Sequence, residues 1–182
     1  RMESQIRGLA SSIRHAKDGQ SFAHTAEGGL KEITSLLQRM RELAVQAASG
    51  VASTTDKDYL NLEMKQLVAE IAHIDANTKF NDMTVFTSTG RTFYTDIDVA
   101  GTAITTPGIE MSTAVTPGFT STVVSIGGGV VAAKLSSVLS AIDVAVELVD
   151  SKRANLGAVS NRFDHIVDNL TNIIANTEAA KS

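Results

Sequence analysis

In LSSVLSAIDVAVELVDSKRANLGAVSNRFDHIVDNLTNIIANT, residues 135–177, the side chains at alternating steps of three and four are Leu135, Val138, Ile142, Ala145, Val149, Lys152, Leu156, Val159, Phe163, Ile166, Leu170, Ile173 and Thr177. All are apolar except Lys152 and Thr177, and a seam of that period needs a partner helix along its length. If helical from Lys134 to Lys181, the segment is a rod about 70 Å long, more than a compact domain of this size requires. The architecture is expected to be elongated.

Working outward, a second stripe occupies the other end of the chain: Ile6, Leu9, Ile13 and Ala16, then Ala23, Ala26, Leu30, Ile33, Leu37, Met40, Ala44 and Ala47. Its register reads as shifting between Ala16 and Ala23. Gly8, Gly19, Gly28 and Gly29 fall inside it, each costing about 0.5–1 kcal/mol against alanine, so packing rather than propensity must hold this helix. A close helix neighbour accounts for such small residues. Ala48-Ser49-Gly50 reads as a helix end, and Ser53-Thr54-Thr55-Asp56 supplies cap residues for a second helix with the face Leu60, Met64, Leu67, Ile71 and Ile74. Three helices can then share one seam. Neither stripe has a start or stop signal at its outer end, which predicts helices continuing into a longer chain.

Between Phe80 and about Gly129 charge thins out, Thr, Ser, Gly and Val dominate, and both prolines, Pro107 and Pro117, occur. Met83 to Phe86, Thr92 to Val99 and Phe119 to Ile126 read as short strands, with turns at Ser88-Thr89-Gly90 and Pro117-Gly118. Gly127-Gly128-Gly129 reads as a hinge into the last helix. The expected fold class is mainly α: an elongated antiparallel helical bundle or coiled coil of two N-terminal helices and one long C-terminal helix, with a small inserted β-hairpin region. The parts are 1–82, the insert 83–130, and 131–182, forming one domain overall.

Composition narrows the function. At 182 residues and 43% hydrophobic content the chain can bury one sizeable core, and six Phe, two Tyr and no Trp leave that core to aliphatics. A net charge of -4 gives no basic face for nucleic acid, and no apolar run is long enough to span a bilayer. Without cysteine there are no disulfides or thiolate metal sites.

The residues themselves resemble bacterial flagellin. Leu37-Gln38-Arg39-Met40-Arg41-Glu42-Leu43-Ala44-Val45-Gln46 is similar to the corresponding family stretch, with Met40 where valine is usual. Arg1 to Leu9, Thr25 to Leu30, Thr78-Lys79-Phe80-Asn81, and Arg153 to Ala158 followed by Asn161-Arg162-Phe163 also resemble flagellin segments, in the family's order. Departures are Gly29 for alanine, His73 for arginine, Asp82 for glycine, and a very short centre. The resemblance implies the rod that forms the outer tube of a filament, with the terminal helices of the inner tube lying outside it. A soluble monomer is the expected state without those helices.

Little enzymatic chemistry can be built from the remaining motifs. His15, His24, His73 and His165 are scattered without a metal-site spacing, and read as surface or groove histidines. Asp96-Ile97-Asp98 puts two carboxylates on one strand face but offers no third ligand. Ser125-Ile126-Gly127-Gly128-Gly129 lacks the lysine and hydroxyl of a phosphate loop, and Asn169-Leu170-Thr171 is a chance sequon inside a helix. No serine sits in a glycine elbow. No catalytic residue, cofactor or metal is expected, and the chain reads as not an enzyme.

One charged cluster carries a different weight. On composition alone, Arg39, Arg41 and Glu42, beside the seam residues Met40 and Leu43, read as a solvated helix face. The resemblance implies instead a protein-interaction patch of Gln38, Arg39, Arg41, Glu42, Leu43 and Glu63, lying between subunits and matching the surface bound by Toll-like receptor 5. Arg39 offers a planar fork of donors, Leu43 an apolar anchor and Glu63 an acceptor. The expected partners are other flagellin subunits and that receptor, and the expected location is extracellular, on a flagellum or cell surface. The rival expectation is a cell-surface homologue acting as an adhesin or polysaccharide receptor, motivated by the Thr/Ser/Gly-rich insert. Surface glycans would be its partners, although only Arg91 and Lys134 supply positive charge near the insert's edges.

Overall fold

A computed structural model describes residues 2–49, 52–95, 103–109 and 132–181. Three helices dominate: α1 (Met2–Ala48), α2 (Thr54–Asn77) and α3 (Ala132–Lys181). The first and last hold 47 and 50 residues, so each is about 70 Å long at ~1.5 Å per residue. They run antiparallel. Gln20 Nε2 donates to Asp164 Oδ1 at 2.6 Å, Glu27 faces Arg153 at 3.9 Å, and Arg41 reaches Asp143 at 3.3 Å, rungs that mark the antiparallel register.

The seam of α1 has no register shift. Its buried residues include Leu9, Ser12, Ala16, Gly19, Ala23, Ala26, Leu30, Ile33, Leu37, Met40, Ala44 and Ala47, unbroken steps of three and four. The expected break between Ala16 and Ala23 came from counting Ile13, which is only half-buried, and passing over Ser12 and Gly19. Those two small residues occupy true seam positions. A Cβ at Gly19 would collide with the ring of Phe163, which is fully buried. Burying that ring is worth about 1.5–3 kcal/mol, more than the roughly 0.5–1 kcal/mol that an interior glycine costs. On α3, Val138, Ile142, Ala145, Val149, Leu156, Val159, Phe163 and Leu170 are buried as expected, while Ile173 is exposed near the helix end.

The second helix packs chiefly on α1 and does not share the α1–α3 seam equally. Met64 and Ile71 are buried, and Leu60, Leu67 and Ile74 pack partly against the core. Ser53 caps this helix as the sequence suggested: its hydroxyl accepts from Asp56 N at 3.1 Å, and Ser53 N donates to Asp56 Oδ2 at 3.0 Å.

Beyond α2, β1 (Lys79–Phe80) pairs antiparallel with β2 (Met83–Thr84). Asn81 and Asp82 both have positive φ, 49° and 61°, as a type I′ turn demands. The hairpin therefore straddles the expected boundary at residues 82 and 83. Val85 and Phe86 turn into the core instead of prolonging the strand. A second ribbon pairs β3 (Thr92–Tyr94) with β4 (Ala103–Thr105), a strand not expected from sequence. The rings of Phe80 and Phe93 both meet Phe22, and Phe93 stands edge-on to Phe163 at 5.7 Å, so hairpin and ribbon are wedged against the rod. Asp96-Ile97-Asp98, the Phe119–Ile126 run, the Pro117-Gly118 turn and Gly127-Gly128-Gly129 lie outside the described residues.

Candidate subunit-contact surface

The heptad that buries Met40 and Leu43 turns Gln38, Arg39, Arg41 and Glu42 outward on the same two turns of α1. Because α2 folds back along α1, Glu63 arrives beside Arg39. Arg39 Nε donates to Glu63 Oε1 at 2.8 Å and its Nη1 donates to Glu42 Oε2 at 3.0 Å. These contacts, the hydrogen bond to Glu63 foremost, hold the guanidinium pKa above its already high ordinary value. The fork is thus fixed in direction by one carboxylate from each helix.

On the other flank, Arg41 is tied to Asp143 of α3. The structure thereby brings five of the six expected residues to one exposed or half-exposed face. Leu43 is different: it is fully buried, so it supports the face from beneath rather than standing on it as an apolar anchor. The exposed apolar side chain on this face is instead Val45, at 55% exposure, in a shallow depression of about 590 Å³ lined with Gln38, Arg41, Glu42 and Gln46. Its off-stripe position beside Arg41 and Glu42 was the available signal. Leu62 and Tyr59 on α2 and Val144 on α3 are also large and exposed.

This face combines features common in protein-binding surfaces. It holds oriented charges and accessible apolar groups over a rigid core. Among the described residues no three His, Asp or Glu side chains gather into a metal site, and no helix is long and apolar enough to cross a membrane. His15 lines a cleft with Asp18, Phe80, Asn81 and Tyr94; His73 lies 3.9 Å from Glu70; His24 and His165 are exposed. Thr171 Oγ1 donates to Val167 O within α3, so the sequon threonine is engaged in its own helix.

An antiparallel helical rod braced by two small ribbons, with an oriented polar and apolar face at one end, defines a structural subunit rather than a compact globule. Known proteins make the class specific. Residues 1–90 match the bacterial flagellin N-terminal helical region, and residues 139–182 match the bacterial flagellin C-terminal helical region. The whole chain is 33% identical to flagellin FlaB2 of Treponema pallidum, covering 68% of that protein, and 36% identical to a flagellin of Halalkalibacterium halodurans, covering 66% of it. The crystal structure of Bacillus cereus flagellin superposes with a TM-score of 0.75 at 29% identity, over 92% of this chain and 94% of that one. A putative flagellar hook-associated protein of Vibrio parahaemolyticus shares the fold, with a TM-score of 0.86 at 13% identity over 98% and 92% of the two chains. The chain belongs to the bacterial flagellin family, whose members are structural subunits of the flagellar filament. It spans about two thirds of the length of the two flagellins compared.

Proposed function

We propose that this chain is the rod of a subunit that polymerises into an extracellular flagellar filament for motility, and that the face of Gln38, Arg39, Arg41, Glu42 and Glu63 is a contact between subunits. The supporting observation is the salt-bridged ridge at Arg39, tied to Glu42 and Glu63 and set over fully buried Met40 and Leu43. A head-to-tail contact of this kind propagates as an open helical array instead of closing into a ring. The parts 1–82 and 131–182 supply the rod, with Met83–Phe86, at the start of the 83–130 insert, packed onto it.

Toll-like receptor 5 is the proposed second partner of the same face, so burial in a filament and receptor binding exclude one another. Leu43 then acts by holding the α1 backbone under Arg39. The adhesin reading gains nothing from the relatives compared, whose names are those of flagellins and flagellar proteins.

Electron microscopy of the chain extended to the length of its relatives tests the proposal. Filaments are expected, and a preparation that stays monomeric under every filament-forming condition refutes the subunit reading.

A further inference from the structure

Lys152 interrupts the α3 seam between Val149 and Leu156, both buried, at a position where every regular neighbour in the heptad is apolar. A lone lysine at such a position weakens a coiled coil while specifying its partners. Here the partner that the fold supplies among the described residues is not a carboxylate. Lys152 Nζ donates to the backbone carbonyl of Gly108 at 2.7 Å, in a half-buried setting.

Gly108 belongs to a close backbone-on-backbone arrangement. A Cβ at Gly108 would strike the carbonyl of Ser88, and one at Gly90 would strike that of Thr106. Across this junction Thr106 N donates to Arg91 O at 2.7 Å, Arg91 N donates to Thr106 Oγ1 at 2.9 Å, and Ile109 N donates to Thr87 O at 2.8 Å. Ile109 itself is buried. The two-stranded β3–β4 ribbon below is too small to be stable alone. Its contacts with α3 include two separated places: one around Phe163, where the Phe93 ring stands edge-on and buried Ile104 shares a cluster with Val159 and Phe163, and one where Lys152 holds Gly108, so that the outermost anchors are Phe163 and Lys152. These lie 11 residues apart on α3, about 16 Å along the helix. Two separated attachments fix a direction, where one would leave a pivot.

We infer that Lys152 is the positioning residue that aligns the ribbon with the α1–α3 seam, and that its charge is kept in the seam for that purpose. The ammonium suits the task because its donors can meet a carbonyl whose own chain cannot approach closer.

Amide hydrogen exchange on the chain with Lys152→Met and Lys152→Arg tests this. In Lys152→Met the amides of Thr106 and Ile109 exchange on the order of tenfold faster, as expected for loss of a charge-assisted hydrogen bond. Amides of α3 around Leu156 keep their protection, and the melting temperature holds or rises because the seam becomes apolar. Lys152→Arg, which retains donors, stays near the unmodified rates at Thr106 and Ile109. Unchanged exchange at Ile109 in Lys152→Met overturns the inference, and so does an increase shared equally by α3, which would make Lys152 an ordinary packing residue.

Discussion

The ring of Phe163 lies where a side chain at position 19 would stand, so Gly19 on α1 and Phe163 on α3 form a single packing unit. Phe163 is fully buried there and also stands edge-on to Phe93 of the ribbon, so any shift of its ring disturbs a second contact. Gly19→Ala is therefore expected to destabilise the rod by about 1–3 kcal/mol through overpacking, outweighing its gain in helix propensity. Chemical denaturation measures the loss. Adding Phe163→Leu to Gly19→Ala should recover part of it, and a double-mutant cycle without coupling would refute the pairing. Gly29→Ala should cost less, because a Cβ there meets the edge of the buried Phe86 ring at 2.8 Å, a milder overlap than the one between position 19 and Phe163.

The Asn81-Asp82 turn carries strain that glycine would relieve. Asp82 sits at φ 61°, a left-handed conformation that a Cβ disfavours. Asp82→Gly should stabilise the protein by about 0.5–1 kcal/mol without altering the β1–β2 register. A fall in the denaturation midpoint would show that the aspartate makes a compensating contact.

At the start of α2, the hydrogen bonds from the Ser53 hydroxyl and then the Ser53 backbone amide lower the pKa of Asp56. A carboxylate with a depressed folded-state pKa contributes stability that is complete above its unfolded pKa and is lost as pH falls through the folded one. Acidification from the ordinary carboxylate range downward should therefore weaken the N-terminal cap of α2 progressively. Ser53→Ala should lower stability near neutrality and, in an NMR titration, move the Asp56 midpoint up toward the ordinary carboxylate value. An unmoved midpoint contradicts the capping box as the cause.

Arg39 should matter little to the rod on its own. Its pairs with Glu42 and Glu63 are solvent-exposed, and such pairs add little to stability. Arg39→Ala is expected to leave thermal unfolding unchanged while weakening polymerisation of the extended chain. A marked drop in melting temperature would recast the Arg39–Glu63 pair as a clasp between α1 and α2.

How legible all this is from sequence depends on residue size. The α3 seam is plain because Val, Ile, Leu and Phe mark nearly every turn. The α1 seam is obscured at Ser12 and Gly19, because small residues make good helix contacts while adding nothing to an apolar pattern. Lys152 looks like an interruption because its partner, the Gly108 carbonyl, lies 44 residues away. The ribbon strand Ala103–Thr105 is too short to declare itself, and its burial rests on the single side chain of Ile104. Asn81-Asp82 hides a tight hairpin because the usual glycine is absent. For the candidate surface, periodicity places Arg39, Arg41 and Glu42 outside and Leu43 inside. Only the likeness to flagellins raises that charged face above an ordinary solvated one, and only the folded-back α2 brings Glu63 to Arg39.

If the Arg39 face is a subunit contact, a neighbouring subunit covers it in the assembled filament. The chain has no cysteine, so Gln38→Cys places one thiol on that exposed face. Thiol labelling at position 38 should be fast in the monomer and strongly slowed once the extended chain has polymerised. Equal labelling rates in monomer and filament would contradict the account.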